Sequence, residues 1–109
     1  MLSSLTTLAT VVILSNMNAM PLLSERHTIS EVSFVEMVVW QLPSFVPESS
    51  HSFKYRLALV VKGICVLRYD NEAGKGDHKH KGEEEVAYEF VTPQRLLTDF
   101  WHDVDNWRH

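Results

Sequence analysis

From Glu31 onward apolar and polar positions alternate with a period of two, the mark of strands with one face turned inward. Val32 to Leu42 (VSFVEMVVWQL) puts Val32, Phe34, Glu36, Val38, Trp40 and Leu42 on one side and Val35, Met37 and Val39 on the other. That density of β-branched and aromatic residues predicts a mostly buried strand. Leu22 to Ile29 reads as a weaker strand pairing ahead of it. Residues 43–52 (PSFVPESSHS), rich in proline and serine, read as a connecting loop. Phe53 to Lys62 (FKYRLALVVK) sets Phe53, Tyr55, Leu57, Leu59 and Val61 against Lys54, Arg56, Ala58, Val60 and Lys62, so one face is apolar and the other carries cations. Gly63 offers a tight turn into Ile64 to Asp70, making a hairpin. Asn71 to Gly82 holds three of the chain's four glycines amid charges and predicts an exposed loop or ragged sheet edge rather than core. Val86 to Val91 is a last short strand. Thr92 and Pro93 suit the N-cap and first position of a helix whose apolar stripe is Leu96, Leu97, Phe100, Trp101, Val104 and Trp107. The whole predicts an α+β fold: a small antiparallel, meander-like sheet of about four or five strands, covered on one face by a C-terminal amphipathic helix.

The first residues break this pattern. Leu2 to Ser15 (LSSLTTLATVVILS) is apolar and rich in hydroxyls, too short for a membrane span of about 20 residues and close to the apolar core of a secretory signal. Yet no base precedes it, the first is Arg26, and Met-Asn-Ala ending at Ala19 is a poor cleavage site. Residues 1–16 are therefore read as a doubtful extension, with a true start at Met17 or Met20, and residues 17–109 as a single domain. A weak leader or a real N-terminal element is the alternative. At 109 residues the chain has room for one domain. With a single cysteine, Cys65, it forms no internal disulfide and lacks the thiolates of a usual zinc site. Cys65 reads as a small core residue, and Trp40, Trp101 and Trp107 as core or helix–sheet packing.

The net charge of −4 argues against a generic nucleic-acid coat but hides a segregation. Residues 53–82 carry seven Lys or Arg (positions 54, 56, 62, 68, 75, 79, 81) against three acids (70, 72, 77), while both flanks are acidic. A basic middle of this kind can build a phosphate-attracting face on an acidic protein.

The same middle concentrates the chemistry. Tyr69 to His80 reads YDNEAGKGDHKH. Its glycines, Gly76 among them, let backbone N–H groups approach an anion, and Lys75 and Lys79 add positive charge. His78 and His80, two apart, share a face if the stretch is extended, so two imidazoles can divide base and acid roles over one scissile bond. Transesterification of RNA by its own 2′-hydroxyl asks for that pair and a cation on the phosphorane, with no obligatory metal or cofactor. Asp77 would orient one of these imidazoles, and Lys54, Arg56 and Arg68 would contact phosphate. Asp70 and Glu72 would anchor the loop by accepting backbone hydrogen bonds or by pairing with Arg68. A divalent ion held by Asp70, Glu72, Asp77, His78 and His80 is the minority reading, opposed by lysines in the same loop. The bland reading is a solvated hairpin connection. His27, His51, His102 and His109 belong to no constellation.

Phe53-Lys54-Tyr55-Arg56-Leu57, the run Asp70-Asn71-Glu72 with Gly74-Lys75-Gly76-Asp77-His78-Lys79-His80, the stretch Glu36 to Pro47 and the Leu-Leu-x-Asp-Phe of Leu96 to Phe100 together resemble the TumE family of type II toxin–antitoxin toxins, over roughly residues 20–108. The resemblance implies a small cytoplasmic bacterial or archaeal toxin, neutralised by a helix-turn-helix antitoxin encoded beside it. It also implies an RNA-directed growth inhibitor, an endoribonuclease if it is an enzyme. The family supplies no catalytic mechanism, so residue roles rest on the chemistry above, with Tyr55, Asp70, Asn71 and Glu72 as structural support. The rival function is a non-enzymatic module that occupies RNA or protein and inhibits by occlusion. Neither reading involves a membrane.

Overall fold

The computed structural model describes residues 19–44, 46, 50–71 and 75–107. The doubtful extension at residues 1–16 lies outside them, as does Glu72. Within these residues six strands form one antiparallel sheet in strictly sequential order: β1 Met20–Ser30, β2 Ser33–Gln41, β3 Phe53–Val61, β4 Ile64–Asp70, β5 His78–Lys81 and β6 Glu84–Ala87. A helix, α1 Pro93–Asn106, follows. The α+β meander stands, with six strands in place of about four or five. The extra strand is β5, inside the stretch expected to be loop: His78 to Lys81 pair with Asp70 to Leu67. The last strand lies earlier than Val86 to Val91. Gly82, at φ +64°, makes the turn after β5, so pairing resumes at Glu84 and ends at Ala87. Tyr88 N–H then donates to the Asp77 carbonyl at 3.0 Å before the chain crosses to the helix.

Alternation of the strands makes the core. Val35, Met37 and Val39 from β2, Tyr55, Leu57, Leu59 and Val61 from β3, and Leu67 and Tyr69 from β4 form one buried cluster with Leu96, Phe100 and Val104 of α1. The three helix residues recur every four positions, one stripe down the helix, and are the helix's buried residues. Thr92 caps the helix as expected: its Oγ1 accepts the Arg95 N–H at 3.0 Å, and Pro93 opens the first turn where its missing N–H costs nothing. Phe53, Tyr88, Phe90, Leu97, Trp101 and Trp107 pack around the margin.

Two expectations about the core need correction. Cys65 is exposed. A register shift in the β3–β4 ladder between Leu59 and Val60 sets Cys65 opposite Val60, near the hairpin tip and away from the helix. Asn71, taken for part of an exposed loop, is fully buried. Its side-chain Oδ1 accepts the Tyr55 N–H at 3.0 Å and its Nδ2 donates to the Phe53 carbonyl at 2.6 Å, extending the β3 ladder with a side chain where β4 has ended. Trp40 is buried, at 3% exposure, as a core reading expects, and lies opposite Lys54 on the side turned from α1. Among the described residues no helix is long and apolar enough to cross a membrane.

Candidate functional site

The face that α1 leaves uncovered receives every second residue of β1 to β6. Directly paired residues of an antiparallel ladder project to the same side, so the register lays out rows across the sheet. One row runs Arg26, Glu36, Ala58, Arg68, His80, Glu85 from β1 to β6; the next runs Val38, Arg56, Asp70, His78, Ala87 from β2 to β6. Lys54 follows beside Trp40. Lys54, Arg56, Arg68, His78 and His80 therefore share one face, with the two imidazoles adjacent along β5 and their side chains 21% and 26% exposed.

Hydrogen-bond partners fix what each imidazole nitrogen can do. A guanidinium only donates, so the Arg68 Nη2 contact of 2.9 Å to His80 Nε2 requires a lone pair on that nitrogen. A carbonyl only accepts, so the 2.9 Å contact between His78 Nδ1 and the Gly76 oxygen requires a proton on Nδ1. Gly76 is at φ +79°, a conformation that aims its carbonyl back at the ring and that few other residues adopt. Glu85 Oε2 lies 3.8 Å from His78 Nε2 and 3.5 Å from His80 Nε2, facing both rings from β6. Arg68 also pairs through Nε with Asp70 at 3.0 Å. Arg56, exposed, lies across from Asp70, and Lys54 Nζ donates to the Asn71 carbonyl at 3.2 Å. Lys75 is exposed in the turn before β5.

Two sequence-predicted residues stand elsewhere. Lys79, expected to bind phosphate, projects to the helix side, 3.5 Å from Asp103 and over the Tyr69 ring, with Lys81 also 3.5 Å from Asp103. The alternation that unites His78 with His80 necessarily separates Lys79 from them. The cations beside the imidazoles are thus the guanidiniums of β3 and β4. Asp77, expected to orient His78 or His80, bonds a different imidazole: its Oδ2 lies 2.7 Å from His51 Nε2 and accepts the Tyr55 hydroxyl at 2.6 Å. His51 Nδ1 takes the Phe53 N–H at 3.0 Å, so Nε2 holds the proton and donates it to the carboxylate. Phe90 stacks on His51 with ring centroids 3.8 Å apart. His51 is 26 residues from Asp77 in sequence, and nothing short of the fold brings them together. Glu85 was also missed, although a hairpin turning at Gly82 and Glu83 pairs it with His80.

Each of the chain's three tyrosines donates to an aspartate: Tyr55 to Asp77, Tyr69 to Asp103, and Tyr88 to Asp99 at 2.7 Å. Burial, then the carboxylate that accepts the bond, pushes all three phenols well above their ordinary range. Burial works to raise the Asp99 carboxyl, but hydrogen bonds from Tyr88 and Arg95 outweigh it and hold the group below the usual carboxylate range.

Among the described residues no three His, Cys, Asp or Glu side chains converge for a metal ion, and the set weighed from the sequence is split by Asp77 facing the helix side. Neither the curated proteins nor the solved structures gave a match to this chain. A family model described as Toxin TumE matches residues 19–108, from just before β1 to just past α1. That span takes in all six strands, the two-histidine face and α1, and the chain belongs to the TumE toxin family.

Proposed function

We propose that this chain is the toxin of a type II toxin–antitoxin pair, acting in the cytoplasm as an RNA-cleaving growth inhibitor held in check by a helix-turn-helix antitoxin. One observation carries the reading: β3, β4 and β5 put Lys54, Arg56, Arg68, His78 and His80 on one sheet face, the face turned away from α1. Guanidiniums match phosphate geometry, and two imidazoles beside them supply base and acid.

The hydrogen bonds support one division of the roles. His80, with its Nε2 lone pair directed at Arg68, is the base that takes the 2′-hydroxyl proton once the phosphate draws that guanidinium to itself. The 2′-oxygen then attacks phosphorus, and the 5′-oxygen leaves with the Nε2 proton of His78 in its imidazolium form, whose Nδ1–H stays on the Gly76 carbonyl and whose Nε2 faces Glu85. Arg68 and Arg56 hold the phosphorane's charge, Lys54 and Lys75 steer the strand, and Asp70 keeps Arg68 in place.

The test is incubation of the purified protein with RNA in EDTA. Cleavage leaving 2′,3′-cyclic phosphate ends supports the reading, cleavage only after a divalent ion is added replaces it with metal chemistry, and binding without cleavage replaces it with occlusion. RNA carrying sulfur at the bridging 5′ position assigns the roles, because a thiolate leaves without a proton. His78→Ala should regain most of its lost rate on that substrate and His80→Ala should not.

A further inference from the structure

The uncovered face does not end at the histidines. Along the same row, Arg26 on β1 lies four strand separations from His80, on the order of 19 Å. There the β1–β2 and β3–β4 turns lie side by side, joined by the Lys62 N–H to the Val32 carbonyl at 2.7 Å, and enclose a cleft of about 520 Å³. Its lining includes Arg26, Thr28, Phe34 and Lys62; Ser30 lines it too, but its hydroxyl is bonded to Ser33 Oγ at 2.7 Å. Arg26 lies over Phe34, its central carbon 3.9 Å from the ring centroid, and Glu36 pairs with it from 3.6 Å.

Lys62 adds a second observation. It has φ +51° and Gly63 φ +80°, the positive pair a two-residue hairpin needs. Asparagine is the residue that meets this at its first position with little strain; lysine there is uncommon and costs conformational energy. Strain kept at the rim of a cleft points to a use for the side chain.

We propose that this cleft is a distal nucleotide subsite of the RNA strand whose scissile phosphate lies at His78 and His80, an inference that rests on the RNA reading above. The base stacks on the outward side of the Arg26 guanidinium, the Thr28 hydroxyl reaches its edge or the ribose, and Lys62 meets the phosphate. Glu31 and Glu36 balance Arg26 and Lys62 locally, so the subsite holds a base by stacking more than a phosphate by charge. It gives the protein a preference for strands long enough to span the sheet.

The experiment is equilibrium binding of fluorescent, 2′-O-methylated RNA, which cannot be cleaved this way, as a long oligonucleotide and as a dinucleotide. The wild type should bind the long strand at least about tenfold better, the worth of one stacked base. Arg26→Ala should lose most of that advantage. Lys62→Asn should lose part of it while its melting temperature holds or rises, because the turn is relieved; a merely structural lysine would not give opposite signs. Long-strand affinity unchanged in both variants, or equal wild-type affinity for both lengths, overturns the subsite and leaves cleavage at the histidines standing. A wild type that binds neither RNA overturns both.

Discussion

The two faces of this sheet are built from the same strands and spend their polar groups differently. On the helix side every phenol is tied to a carboxylate, Lys79 and Lys81 are paired with Asp103, and His51 is held between Phe90 and Asp77. These contacts join α1 and the flanking segments to the sheet; His51 and Asp77 are sheltered, each 9% exposed, while Lys79 and Lys81 keep 27% and 45% of their side chains in solvent at the margin. On the other side Arg56 is exposed and His78, His80 and Arg68 keep roughly a fifth to a third of their side chains in solvent. Partners there are lateral, from strand to strand, and exchangeable for a ligand. The difference separates polar groups that tie α1 to the sheet from polar groups paired only between neighbouring strands.

The largest effect should fall on the uncovered face. Replacing both His78 and His80 with alanine should cost the cleavage rate about 10²- to 10⁴-fold for each acid–base role lost, and shift unfolding by no more than about 0.5 kcal/mol. A folded double variant with full activity ends the acid–base reading, and one that unfolds ends the separation of the faces. Phe100→Ala on the helix side should do the reverse, destabilising by about 3–5 kcal/mol in a urea titration. Asp77→Ala should cost about 1–3 kcal/mol by leaving the His51 and Tyr55 donors unpaired in a sheltered place; a loss of activity with no loss of stability would return Asp77 to the chemistry.

The smallest effect is on pH. The raised phenols favour the protonated folded state, so the stability they contribute is complete below about pH 10 and is lost as pH climbs beyond it. Phenolate absorbance at high pH should therefore appear together with the loss of tertiary circular dichroism. Asp99, held low, acts in the opposite sense: its contribution is present above about pH 4 and is lost as pH falls through its folded value. Phenolate appearing in a still-folded protein near pH 10 would show that the aspartate contacts are loose.

Much of this contrast was legible in the sequence. Period-two alternation in VSFVEMVVWQL and FKYRLALVVK told which residues of β2 and β3 face inward, because burial imposes that alternation directly. The helix, with its Thr92 cap and stripe, was equally readable. The segment carrying His78 and His80 was not, because β5 is four residues of HKHK with no apolar alternation to mark it, and its pairing is fixed by the turn at Gly82. Once extended, the segment obeys the same parity, which is why Lys79 and Asp77 fell on the face opposite the one expected. The bulge that exposes Cys65 and the meeting of His51 with Asp77 depend on register and on separation along the chain, neither of which a local pattern encodes.

The strictly sequential sheet also bears on synthesis. Each strand pairs with its predecessor in the chain, so the ladders can close in the order in which the ribosome delivers them, without waiting for distant chain. The helix arrives last. Until Leu96, Phe100 and Val104 have emerged, Leu57, Leu59 and Leu67 lie bare on one side of a finished sheet. A product truncated before residue 93 should therefore clump, and release from the ribosome at that stage should yield aggregate where the chain carrying α1 yields folded protein.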